Sequence, residues 1–184
     1  MQGVSHQQGV CANIGGSGTV PKLRRLASIM AASALIAAMT ASPALAADSL
    51  RVESSSGGGT TACKTLGISE LFATFTKGGG GHAFVDLSVT DTCGGAGFSM
   101  VAFNWLSAGD LQGNRNRISL RTTLIDEGGS GKAVTLDVTF RCWAPATVSP
   151  GEASCPATLS GTVTVDGTVI TLEPSTDAFM SSAK

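Results

Sequence analysis

Thr162-Val-Thr-Val-Asp-Gly-Thr-Val-Ile-Thr-Leu172 sets Asp166-Gly167 between two β-prone runs. A two-residue type I′ hairpin demands such a pair, because both of its central residues need φ above zero. Pairing Val165 with Thr168 places Val163 opposite Ile170 and Gly161 opposite Leu172. Val163, Val165, Ile170 and Leu172 then share one face, and Thr162, Thr164, Val169 and Thr171 the other. Turn chemistry and hydrophobic pattern select the same register, so the segment reads as half-buried antiparallel sheet.

The same period of two extends upstream. In Ala133 to Cys142, Val134, Leu136, Val138 and Phe140 alternate with Thr135, Asp137, Thr139 and Arg141. Ala83 to Thr90 sets Val85, Leu87 and Val89 against Asp86, Ser88 and Thr90, and Ile118, Leu120 and Leu124 repeat the pattern after Arg117. Phe98-Ser-Met-Val-Ala-Phe-Asn-Trp-Leu106 is apolar on both faces, which predicts a strand covered on both sides; the alternative is one that shows Phe103 and Trp105 to a partner. Leu71 to Thr76 also fits a helical face, with Ile68, Leu71, Phe72 and Phe75 aligned, but its β-rich neighbours favour a strand.

Gly57–Gly59, Gly78–Gly81, Gly94–Gly97 and Gly128–Gly131 fall where antiparallel neighbours need turns. About eight strands at this spacing predict an all-β fold, a single antiparallel β-sandwich over residues 47–174 with an up-and-down β-barrel as the alternative. Residues 175–184 carry no pairing signal and read as a flexible tail.

The N-terminal part reads as an export signal. Every Asp and Glu lies at or after Asp48, while Lys22, Arg24 and Arg25 precede the apolar run Leu26 to Met39. Small residues at Ala44 and Ala46 then supply the spacing that a signal peptidase reads, so residues 22–46 are assigned as a signal peptide cut after Ala46. A run of about 14 mostly Ala-sized residues falls short of the roughly 20 that span a bilayer, so no stable membrane insertion is expected after cleavage. Residues 1–21 are Gly-rich and without periodicity, and read as a non-native or disordered extension ahead of a true start near Val20. The expected product is secreted or periplasmic and of bacterial type.

From Ala47 onward nine Lys and Arg stand against all 13 acids, a net charge of −4 with His neutral. That balance opposes binding to nucleic acid or anionic lipid. Cys63, Cys93, Cys142 and Cys155 are an even set in an oxidising compartment and predict two disulfides. Four cysteines permit three connectivities, among which the sequence does not choose; closure entropy favours the local pairs, Cys63 with Cys93 and Cys142 with Cys155. Intervals of 30, 49 and 13 residues and a single exported histidine do not form a zinc pattern.

Catalytic patterns are weak. His82, flanked by glycines, reads as an exposed loop histidine, and no Gly-x-Ser-x-Gly elbow accompanies it. Gly78–Gly81 leads into His-Ala-Phe and a strand, as a hairpin turn does, and lacks the Lys-Ser/Thr of a phosphate loop. Asp110 to Asn116 has oxygens at alternate positions, but Arg115 and Arg117 oppose a cation. Asp126-Glu127 sits beside a mobile Gly-Gly-Ser-Gly, a poor setting for a tuned carboxylate pair. No cofactor or metal is expected.

Arg141-Cys-Trp143, at the base of the Pro-containing segment closed by Cys155, presents residue types on which binding energy concentrates. Arg141 and Trp143 are therefore the candidate binding residues, against the alternative that Trp143 plugs one end of the fold. The expected function is that of an exported, non-catalytic module binding a protein or glycan partner or forming part of the envelope surface. The alternatives are a barrel carrying a small apolar ligand and a secreted protease inhibitor that presents the 142–155 loop.

Overall fold

The computed structural model describes residues 47–184. These form eleven antiparallel strands: β1 (Ser49–Ser54), β2 (Gly57–Thr60), β3 (Lys64–Thr76), β4 (Gly80–Asp91), β5 (Phe98–Leu106), β6 (Leu111–Asn114), β7 (Arg117–Asp126), β8 (Ala133–Cys142), β9 (Thr147–Ser149), β10 (Glu152–Val165) and β11 (Thr168–Ala183). The β10–β11 hairpin has the register that its turn demands: Val165 faces Thr168, Val163 faces Ile170 and Gly161 faces Leu172. Asp166 at φ 48° and Gly167 at φ 74° supply the two left-handed residues.

All strands belong to one sheet in the order β1-β11-β10-β8-β7-β5-β4-β3-β2, with β6 added to β7 and β9 to β10. β1 pairs with β11 along one edge and with β3 along the other, so the hydrogen bonding runs as a ring. β2 continues the line of β1, giving eight staves. The fold is thus all-β and barrel-like, and side chains from facing arcs of the ring fill its centre as the inner faces of a sandwich would. Phe140, Leu71, Leu120, Leu136, Leu159 and Ile170 are among the fully buried residues. Alternation explains why these positions point inward: every second residue of β4, β7 and β8 is buried while its neighbours are half-buried or exposed.

Three details depart from the expectations above. Ser175–Lys184 does not fray as a tail: β11 runs to Ala183, pairs with β1 and β10, and buries Ala178 and Met180. Gly57–Gly59 is strand rather than turn. A Cβ on Gly59 would collide with the Thr171 carbonyl and one on Gly58 with that of Leu66, so glycine lets β2 lie tight between β11 and β3. At the β1–β2 joint, buried Ser54 donates its hydroxyl to the Ser56 carbonyl at 2.7 Å, and Ser55 N–H bonds Asp177 O at 3.1 Å. Leu71–Thr76 is strand as expected, after a bulge between Ile68 and Glu70. The third departure is β5, which is covered on one side only: Met100, Ala102 and Leu106 are buried, whereas Trp105 stands 71% exposed.

Both disulfides join the local pairs. Cys63–Cys93 ties the β2–β3 link to the β4–β5 turn with Cα atoms 5.0 Å apart, and Cys142–Cys155 ties the end of β8 to β10 with Cα atoms 5.7 Å apart. The 1–21 extension and the 22–46 signal peptide lie outside the described residues. Among those described, no helix is long and apolar enough to cross a membrane.

Candidate functional site

The outer face of β3, β4 and β5 carries three cross-strand rows. The middle row is Phe72, Phe84 and Phe103; on one side of it lie Thr74, His82 and Trp105, and on the other Glu70, Asp86 and Val101. Outward positions of a half-buried strand are normally polar, as the Thr and Ser of β7 and β8 are here. An outward row of three Phe residues is therefore a departure that the core does not require.

The rings pack on one another. Phe72 and Phe84 stack at 5.9 Å between centroids, as do His82 and Phe103, and Trp105 meets Phe103 edge-on at 5.4 Å and His82 at 6.1 Å. Arg51 of β1 lies over Phe72, 5.1 Å from its centroid, while pairing with Glu53 at 2.8 Å. The ring faces accept a guanidinium, as the aromatic quadrupole dictates. Beyond Phe72 the face opens into a groove of about 660 Å³ between β1, β3 and β11, lined among others by Phe72, Phe179, Glu53, Glu70 and Asp177.

His82 was expected on a loop; it lies instead within β4, its ring half-buried among Phe72, Phe103 and Trp105. Gly78 and Gly79 form the hairpin turn, Gly80 and Gly81 already pair with Thr76 and Phe75 in the ladder, and the alternation of Ala83–Thr90 extends back through His82. That backward extension, His82-Phe84-Asp86 on one face, is the sequence signal that places His82 in the strand; its gathering with Phe72, Phe103 and Trp105 depends on register.

Arg141 and Trp143 lie elsewhere on the ring, at the end of β8. Trp143 does not plug the fold: it is 60% exposed, and its backbone N–H bonds Pro156 O at 3.3 Å. Arg141 faces Arg117 of β7 directly, with exposed Arg115 in the adjoining turn, where Cys142 N–H bonds Asn116 O at 3.0 Å. The loop that Cys155 closes is exposed throughout β9, with Val148 65% accessible.

The remaining oxygen-rich loops are turn devices. Asp110 accepts Ser107 N–H at 2.6 Å, and Asn114 accepts the N–H groups of Asn116 and Arg117 at 2.9 and 3.2 Å. Asp126 accepts Gly128 N–H at 3.1 Å and Ser130 N–H at 3.0 Å, so it organises the glycine loop; the Ser130 hydroxyl first, then these amides, hold its carboxyl below the ordinary 3.8. Asp91 does the same for the β4–β5 turn, lowered chiefly by Cys93 N–H and then by Gly95 N–H. Hydrogen bonds to the charged form stabilise it and depress its pKa.

No protein-family model matches the chain, and no curated protein matches it either. Among solved structures, the chain is similar to one described as an AttH candidate from Nitrosomonas europaea, at 12% identity and a TM-score of 0.34, over 74% of this chain. The chain spans about half (51%) of that structure's length.

Proposed function

We propose that this protein is an exported, non-catalytic binding module of the cell envelope, and that the outer aromatic face of β3–β5 receives its macromolecular partner, a protein or a glycan. One observation carries the reading. Trp105 stands 71% exposed on a bed formed by Phe103 and His82, a large apolar surface on the side of the strand that faces water. Such a residue stabilises nothing in the core, whereas a rigid aromatic anchor backed by packed rings is the common form of a binding hot spot. Two disulfides accord with an oxidising periplasmic or extracellular compartment, and the charge of −4 speaks against nucleic acid and anionic lipid. His82 has its ring packed among Phe72, Phe103 and Trp105.

The test compares exported wild-type protein with the variant carrying Phe103→Ala and Trp105→Ala, each immobilised and exposed to solubilised envelope material of the producing cell. Retention by the wild type that drops at least about tenfold in the variant is the expected result. Equal retention by both, or none by either, overturns the assignment of the face.

A second reading rests on the exposed, disulfide-closed 142–155 loop with Trp143 and Val148 outward: a protease inhibitor. Stoichiometric inhibition of a secreted protease, abolished by reducing Cys142–Cys155, is its signature. Rapid cleavage of the oxidised loop excludes it.

A further inference from the structure

Of the five pairs of opposed side chains on the outer β7–β8 ladder, three join polar or oppositely charged partners. Arg121 pairs with Asp137 at 2.6 Å, Ser119 bonds Thr139 at 3.2 Å and Thr123 bonds Thr135 at 3.0 Å. Of the other two, one sets Ile125 against Ala133, and the last sets Arg117 directly against Arg141, with Arg115 and the exposed Trp143 alongside. On β3–β4 the same inversion occurs with the opposite sign, because Glu70 lies directly across from Asp86, next to the Phe72–Phe84–Phe103 row. Like charges opposite each other destabilise a sheet. Among the described residues neither pair has an opposite charge within ion-pair distance, the ion pairs being Arg51–Glu53, Arg121–Asp137 and Lys132–Asp166.

The two patches cannot neutralise each other within one chain. The Asp86 row reaches β7 at its Asp126 end, where Glu127 N–H bonds Val101 O, and Arg117 lies nine residues away, about 30 Å at the rise of an extended strand. A second copy brings them together. Guanidinium groups stack on aromatic faces and fork onto carboxylates, and the acidic patch offers both within one strand step. Arg51 over Phe72 displays that contact inside the chain itself.

We infer that the partner of the aromatic face is a second copy of this protein, whose Arg117–Arg141 patch, with Trp143, docks on Phe103, Trp105, Glu70 and Asp86. The inference rests on the proposed binding role of that face and deepens it. The contact joins two different surfaces, so it repeats from copy to copy or closes as a reciprocal pair.

Analytical ultracentrifugation of the exported protein tests it, with three preparations: wild type, the Glu70→Lys/Asp86→Lys variant and the Arg117→Glu/Arg141→Glu variant. Each double reversal keeps like charge opposite like, so the electrostatic burden on folding is unchanged, and near-ultraviolet circular dichroism verifies the fold of each. The wild type is expected to rise with concentration to at least about twice the mass of one chain, and to fall back at about 1 M salt, where the Debye length is roughly 3 Å. Each variant alone stays monomeric, and an equimolar mixture of the two associates again. Association that survives in either variant alone, or a mixture that stays monomeric, overturns the inference. So does a wild type that is monomeric at every concentration; should that monomer still bind envelope material through Trp105, the binding role stands with a different partner, and should it bind nothing, both fail.

Discussion

At the residue scale, inward and outward side chains do separable work. Phe140 is fully buried at the centre of the core, and Phe140→Ala is expected to cost about 3–5 kcal/mol through lost transfer energy and the cavity left behind. Trp105→Ala removes a mostly exposed ring, so its urea midpoint should move by no more than about 1 kcal/mol equivalent while binding is lost. The two turn aspartates predict an acid response of definite sign. The folded pKa values of Asp91 and Asp126 lie below the ordinary 3.8, so their contribution to stability is present above that value and lost as pH falls through the lower folded ones. Urea midpoints measured from pH 6 down to about pH 2 should therefore fall less steeply for Asp91→Asn and Asp126→Asn than for wild type; parallel curves refute the role of the turns. The Asp126 role was not legible as such: Asp126-Glu127 reads in sequence as a solvated acidic pair, because which amide an Asx side chain meets depends on how the following glycines turn. Aspartate 166, by contrast, was legible at once, since a two-residue turn leaves it one conformation.

At the scale of elements, the hairpin β10–β11 was readable down to its register, and the end of β11 was not. Thr176 to Ser182 lacks the dense Val/Ile alternation of Thr162–Leu172, and only the placement of β1 beside it converts Ala178 and Met180 into core. Deleting residues 175–184 removes that cover from Val52 and leaves an edge of β1 unpaired. The shortened chain is expected to lose several kcal/mol and to aggregate on concentration, read by light scattering and by its unfolding midpoint. Unchanged solubility and midpoint would restore the flexible-tail reading. Strand β5 teaches a related lesson: apolar residues on both faces can mean two covered faces or one uncovered aromatic face. Its outer neighbours, Phe84 on β4 and Ile125 on β7, cover Phe103 only sideways, so the second meaning holds.

Over the whole molecule, ring-like bonding and two local disulfides constrain the chain at different sequence distances. Reducing both disulfides is expected to lower stability by about 2–4 kcal/mol each, measured as a shift in the urea midpoint with and without reductant. By itself the sequence determined the all-β class, the antiparallel hairpins and their buried faces, and favoured the local cysteine pairing without fixing it, because alternation, turn chemistry and loop closure act over a few to a few tens of residues. It did not determine that β1 would close the ring against β3 and β11, nor which outward rings would gather. Tertiary structure alone decided that Phe72, His82, Phe84, Phe103 and Trp105 share one surface, and that Glu70 meets Asp86 while Arg117 meets Arg141. The reason is that a cross-strand neighbour is fixed by register between distant segments, and each register is set by the packing of the opposite, inward face.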